Sequence, residues 1–242
     1  MNEKVLIIIP AYNEQDGILN TYNKIIDYNR TNGTNFDVIV INDCSTDNTK
    51  KICDENKMPT ISLVHNLGIG GAVQTGYKYA YDNGYDIALQ FDGDGQHDIS
   101  YVKTIIEPII NKEADFVIGS RFIDPSSSEF KSSFSRRLGI NIISKSIQLV
   151  TGKKIYDVTS GFRAASRMVI EDFAMSYPTD FPEPITNTEL LKKKYNIKEV
   201  PVAMNERDGG ESSIRSWKSA YFMVNVVLAV FVVGIRRYKN VR

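Results

Sequence analysis

The chain has 242 residues, 42% of them hydrophobic and 24% charged, with 29 basic side chains balanced by 29 acidic ones. That length supports one large α/β domain, or a domain with an appendage, whose core needs no disulfides. Zero net charge gives no pull toward nucleic acid. Cys44 and Cys53 have no metal-ligand spacing around them and read as two reduced thiols of a cytosolic protein.

In chain order, short apolar and β-branched runs alternate with helix-length segments. Residues 5–9, 36–41, 61–65, 87–91 and 116–118 suit strands covered on both faces. Between them, residues 14–28, 46–56, 71–81 and 99–111 suit helices, with Ser45/Asp47 and Asp98 as start signals. The first run is too short for a signal or a membrane span. This alternation predicts a doubly wound, mostly parallel sheet with its ligand beyond the carboxyl ends of the strands.

After residue 120 the pattern changes. A Ser-rich loop, 124–133, leads into a helix over 136–150. If that helix lies flat on a membrane, Arg136, Arg137 and Lys145 face headgroups while Leu138, Ile142, Ile143, Ile147 and Val150 dip inward; the other reading is a core-facing helix. A polar loop at 159–163, a helix from about Arg167, a Pro-rich segment, a further helix and a strand at 197–202 follow. Residues 220–235 are sixteen positions with Asn225 as the one polar side chain, ending in Arg236-Arg237-Tyr238-Lys239. At about 1.5 Å per residue they reach roughly 24 Å, short of a hydrocarbon core of about 30 Å. Such a helix must be buried in something, either a membrane or an oligomer. The chain therefore divides into a domain over 1–215 and a membrane-associating or oligomerising helix over 216–242.

The strongest chemical signal is Asp92-Gly93-Asp94-Gly95-Gln96-His97-Asp98, directly after a strand. Asp92 and Asp94, two apart, can face one cation, and carboxylate oxygens suit Mg²⁺ or Mn²⁺. Gln96 adds an amide oxygen, and the glycines admit a diphosphate close to the backbone. His97 fits either a ligand-supporting or a packing role. Pro10-Ala11-Tyr12-Asn13-Glu14 closes the first strand, where free helix N–H groups can meet an anion. Asn42-Asp43-Cys44-Ser45 closes the second; a carboxylate there reads a ribose or base, or caps a helix. Asn66-Leu67-Gly68-Ile69-Gly70-Gly71-Ala72 lacks the spacing and placement of a dinucleotide fingerprint.

Together with Gly119-Ser120-Arg121, Ser160-Gly161-Phe162-Arg163 and Gly210-Glu211-Ser212-Ser213, these motifs stand in the order seen in family-2 glycosyltransferases of the GT-A fold. The chain resembles the dolichol- and undecaprenyl-phosphate sugar synthases over about residues 4–215. The resemblance implies that Pro10, Tyr12, Glu14 and Asp43 hold the nucleoside, with Gly68 and Ser213 completing the donor site. It implies that Asp92, Asp94 and Gln96 bind Mg²⁺ or Mn²⁺ on the diphosphate. Arg121, Arg137 and Arg207 line the diphosphate and acceptor. Many mannose synthases of this kind carry a Lys where this chain has Ser213, which favours a UDP-sugar over a GDP-sugar.

A polyprenyl phosphate is already an anion near neutral pH and can attack without a general base. It needs relief from phosphate repulsion and in-line positioning, which the cation and Arg121, Arg136, Arg137, Arg163 and Arg207 supply. The expected catalytic set is Asp94, Arg137 and Glu183. Direct transfer to a glycan hydroxyl is the alternative, with Glu183 as its base; a non-catalytic nucleotide-binding subunit is a third reading. The expected setting is the cytoplasmic face of the cell membrane, with a small membrane protein or a second copy of the chain as further partners.

Overall fold

The structure, a computed structural model, describes residues 3–123, 134–204 and 216–238, with the backbone alone at 134–136 and 216–222. Arg207 and Ser213 lie outside the described residues, as do the side chain of Arg136 and the Ser-rich loop over 124–133.

Seven strands form one sheet: β1 (Val5–Ala11), β2 (Asp37–Asn42), β3 (Thr60–Ser62), β4 (Ile87–Gln90), β5 (Phe116–Ser120), β6 (Arg163–Ser166) and β7 (Ile197–Pro201). Their spatial order is β3-β2-β1-β4-β6-β5-β7. All neighbours pair in parallel except β6, which runs antiparallel to both β4 and β5. The expected doubly wound, mostly parallel sheet is therefore present.

Alternate strand residues feed two cores, as a period of two requires. Leu6, Ile8, Ile39, Ile41, Ala88 and Phe116 face one side, and Val5, Ile7, Ile9, Val38, Val40 and Leu89 the other. Helices α1 (Ile18–Asn32), α2 (Thr49–Glu55) and α4 (Val102–Ile110) cover the second side through Ile18, Ile25, Cys53, Ile105 and Ile106. The first side is covered by α3 (Gly68–Asp82), α5 (Phe134–Thr151), α6 (Arg167–Met175), α7 (Pro182–Lys192) and α8 (Ser216–Ile235). Coverage on both faces explains the uninterrupted apolar strands.

Three expectations change. Residues 163–166 form a central strand, where the sequence suggested a loop; its Arg-Ala-Ala-Ser carries no branched apolar run to announce it. On α5, Ile143 and Ile147 are buried in the core and Val150 is packed against it, so they do not point outward; Leu138, Ile142 and Leu149 are exposed. The tail helix buries Val226 and Val230 in this chain's own core, against α5 and α7, a contact the sequence did not announce, while Val224, Leu228, Phe231, Val232 and Ile235 are exposed. Among the described residues no helix is long and apolar enough to cross a membrane.

Helices α5 and α8 run side by side in the same direction. A Cβ on Gly139 would meet the Met223 sulfur at 3.1 Å, and one on Gly234 would meet the Val150 Cβ at 2.5 Å. The two contacts are eleven residues apart on each helix, so both helices keep step along their length.

Candidate active site

The carboxyl ends of β1, β2 and β4 open on one edge of the sheet, and the antiparallel β6 brings its amino end to that same edge. Three loops there are stitched together. The Asn13 side-chain oxygen accepts the Thr46 N–H at 2.8 Å, and the Glu14 N–H donates to Thr49 Oγ1 at 2.9 Å. Asp43 is buried, and its Oδ1 accepts the Leu67 N–H at 2.7 Å, so it holds the start of α3. Gly68 sits at that start with φ 74°, a conformation that favours glycine. Pro10 is buried within β1, Glu14 is half-buried, and Tyr12 is 48% exposed, its ring open above the first loop.

Directly after β4 lies the aspartate loop. The Asp92 side chain is 34% exposed, while Asp94 is buried and its Oδ1 accepts the Gln96 N–H at 3.1 Å. His97 stacks on Phe162 at 4.5 Å between centroids and meets Phe91 edge-on. Its Nδ1 accepts the Asp92 N–H at 3.0 Å, and its Nε2 lies 3.4 Å from Asp92 Oδ2. Burial drives the His97 pKa down, against the pull of Asp92 and Asp94. The neutral ring accepts through Nδ1, so its proton sits on Nε2 and faces the Asp92 carboxylate. His97 thus packs and orients Asp92 at once.

Gly161 closes the other side of Asp92. A Cβ there would lie 2.7 and 3.0 Å from the two Asp92 oxygens and 3.1 Å from Gln90 Nε2. Gln90 in turn donates to Asp92 Oδ1 at 3.2 Å and accepts from Arg163 Nη2 at 3.3 Å. Because Arg163 can only donate, it dictates which end of the Gln90 amide faces Asp92.

Arg163 is fully buried, contrary to a role at the open diphosphate surface. Its guanidinium donates to Thr186 Oγ1 and to the Tyr177 hydroxyl, both at 2.9 Å, and lies 3.8 Å from Glu183 Oε1. Burial works against its charge, but Tyr177, Glu183 and Tyr77 outweigh that and hold its pKa above the ordinary value. Burial likewise pushes the Tyr77 phenol up to about 12. Glu183 stands in the first turn of α7, its side chain 21% exposed. Burial raises its pKa, Arg163 opposes this, and the Asp92 carboxylate adds a further upward push. Glu183 and Asp92 therefore share one electrostatic neighbourhood, a juxtaposition built by β6.

Arg121 is buried and grips Asp157 with Nε at 2.7 Å and Nη2 at 2.8 Å, and Nη2 also reaches Thr159. Its guanidinium braces the 157–159 loop, while its charge is felt at His97. Arg137 is exposed in the first turn of α5.

Among the described residues no three His, Cys, Asp or Glu side chains gather into a protein-only metal cage. That donor set suits a hard cation held by one or two carboxylates and completed by substrate phosphate. Asp92, accessible and cradled by a glycine, fits that use. Sequence reading passed over Gln90 and Asp157, and gave Gly161, named within a motif, no role of its own. A glutamine at the end of the apolar run Ile87-Ala88-Leu89 was the available signal for the first.

A model of the family described as Glycosyl transferase family 2 matches residues 6–173. The chain is 34% identical over 218 residues to the UDP-N-acetylglucosamine–dolichyl-phosphate N-acetylglucosaminyltransferase of Methanococcus voltae, covering 82% of this chain and 84% of that one. It is 30% identical over 233 residues to the undecaprenyl-phosphate mannosyltransferase of Micrococcus luteus, covering 92% of each. Among solved structures, glucosyl-3-phosphoglycerate synthase from Mycobacterium tuberculosis, in complex with Mn²⁺, UDP and phosphoglyceric acid, superposes with a TM-score of 0.69 at 16% identity, over 98% of this chain and 80% of that one. With the sheet order and the aspartate loop, these matches make the chain a member of glycosyl transferase family 2 with the GT-A fold.

Proposed function

We propose that this chain transfers a sugar from a UDP-sugar to a polyprenyl phosphate at the cytoplasmic face of the cell membrane, with inversion at the anomeric carbon. The observation that carries this reading is that two relatives at 30% identity or more, matched over most of their length, differ in the sugar they are named for yet share a polyprenyl-phosphate acceptor. The Methanococcus voltae relative is named for a UDP donor, in line with the Ser213 argument.

In this reading Tyr12 offers its exposed ring to the base, with Pro10, Glu14, Asp43 and Gly68 shaping the wall around the nucleoside. Asp92 and Asp94, with Gln96, would hold Mg²⁺ or Mn²⁺, which would supply positive charge to offset that of the diphosphate. His97, Gln90 and Gly161 keep Asp92 aimed. The acceptor phosphate attacks without a base, and Arg137, Arg207 and Ser213 are assigned to the diphosphate and acceptor side. Helix α8, over 216–235, rests on the domain as its membrane-facing flank.

One observation favours a second reading, direct transfer to a glycan hydroxyl. Glu183 feels the Asp92 charge and has a raised pKa, the direction a general base needs. A single assay separates the two. Radiolabelled UDP-sugars are incubated in detergent with Mg²⁺ or Mn²⁺, with and without undecaprenyl phosphate. Label entering the organic phase, lost in Asp94→Ala and kept in Glu183→Gln, supports the lipid-phosphate reaction. Donor consumption without lipid product, abolished in Glu183→Gln, overturns it for the hydroxyl acceptor.

A further inference from the structure

At the far end of α5 and α8 from Arg137, the carboxyl ends of α5, α7 and α8 converge around a groove of about 410 Å³. Lys192, Lys194, Arg236 and Arg237 contribute four positive charges to its lining. Among the described residues no acidic side chain lines it; Glu189, outside the lining, accepts the Tyr238 hydroxyl at 3.4 Å.

The groove ends an apolar stripe. On α8, Val224, Leu228, Phe231, Val232 and Ile235 are exposed at spacings that keep them on one helix face. On α5, Leu138, Ile142 and Leu149 do the same. Because the two helices run parallel and in step, the rows form one flank from the Arg137 end to the groove. Leu149 and Ile235, 75% and 79% exposed, stand at its groove end. Helix carboxyl ends attract cations in their own right. That attraction accounts for the basic residues but not for two open aliphatic side chains beside them. Apolar surface running into a cationic hollow matches a molecule with acyl chains and an anionic head.

We propose that the groove binds the phosphodiester headgroup of an anionic phospholipid, with the α5–α8 flank lying in the membrane interface. Arginine forks suit phosphate oxygens, and a basic side chain near an anionic bilayer is worth about fivefold in partition. The flank then lies along the bilayer and leaves Arg137 close to it at the other end. This rests on the proposed lipid acceptor only in that the acceptor is presented by a bilayer.

The test is vesicle flotation of the full chain at physiological ionic strength, on phosphatidylcholine alone and on phosphatidylcholine with phosphatidylglycerol. Partition at least tenfold stronger on the anionic vesicles is expected, falling to the neutral-vesicle level in Arg236→Glu/Arg237→Glu. Thr151→Glu, which sets a carboxylate in the groove without removing a cation, should act the same way if the double variant fails to fold. Transfer in detergent micelles should be unchanged in both, confirming intact folds. Equal partition on the two compositions, or anionic binding unchanged in the variants, overturns the proposal. So does displacement by millimolar inorganic phosphate, which would mark a free-phosphate site. Wild-type protein that floats as expected yet transfers nothing to polyprenyl phosphate in micelles would sink the proposed acceptor and leave the groove standing.

Discussion

Replacing Gly161 by alanine tests how the aspartate loop is aimed. The new Cβ would lie 2.7 Å from Asp92 Oδ2, where ordinary contact begins near 3.4 Å, so the carboxylate must retreat by about 0.7 Å. It cannot do so while keeping the Gln90 hydrogen bond at 3.2 Å and the His97 contact at 3.4 Å. Overpacking of this kind costs about 1–3 kcal/mol of stability. A misplacement near 1 Å in a reacting assembly costs on the order of a hundredfold in rate. We expect Gly161→Ala to fold, to bind Mn²⁺ about tenfold more weakly, and to lose roughly ten- to a hundredfold in kcat/KM. Mn²⁺ titration followed by electron paramagnetic resonance reads the first effect without turnover, and steady-state transfer reads the second. Wild-type Mn²⁺ affinity together with wild-type turnover would refute the argument that this glycine exists to admit the Asp92 carboxylate.

Two further outcomes follow from the same network. Arg163→Met removes a buried charge from beside Glu183 and unpairs Gln90 and Tyr177, so urea denaturation should register a loss of about 3 kcal/mol. Adding Glu183→Gln should restore part of it, and strict additivity of the two changes would contradict their coupling. His97 is held neutral by burial, while in the unfolded chain it takes up a proton near its ordinary value of 6.5. The unfolded state therefore binds more protons below that pH, and stability falls as pH falls. His97→Gln, which keeps a polar partner for the Asp92 N–H, should flatten the drop in unfolding free energy between pH 7.5 and 5.5. Parallel curves for variant and wild type would show that His97 does not drive it.

The sheet was legible because strands buried on both faces leave a local signature, and runs such as Val5–Ala11 carry it. The aspartate loop was legible because two carboxylates at a strand end are chemically unusual wherever they point. Strand β6 was not, since its identity depends on partners β4 and β5 more than forty residues away from either end of that pairing, and its own four residues are noncommittal. For the same reason the fate of each arginine stayed hidden. Arg121, Arg137 and Arg163 look alike in sequence, yet one clasps Asp157, one lies open, and one is sealed beneath the site. Helix α5 shows the limit of periodicity. Its apolar positions are too many for one face, and only the seating of α8 decides which remain outside.

The insertion of β6 between β4 and β5 also has a consequence for biosynthesis. A ribosome delivers β5 before β6, so when residue 120 emerges the strand that belongs beside β4 has not been made. The edge of β4 then presents unpaired N–H and C=O groups, the kind of edge that invites pairing between chains. Until Gly161 and Arg163 arrive, Gln90 has no arginine to orient it and the Asp92 carboxylate has no cradle. The nascent amino-terminal half can join its first three loops early, whereas the setting of the Asp92 carboxylate waits for the last of the central strands to slot home.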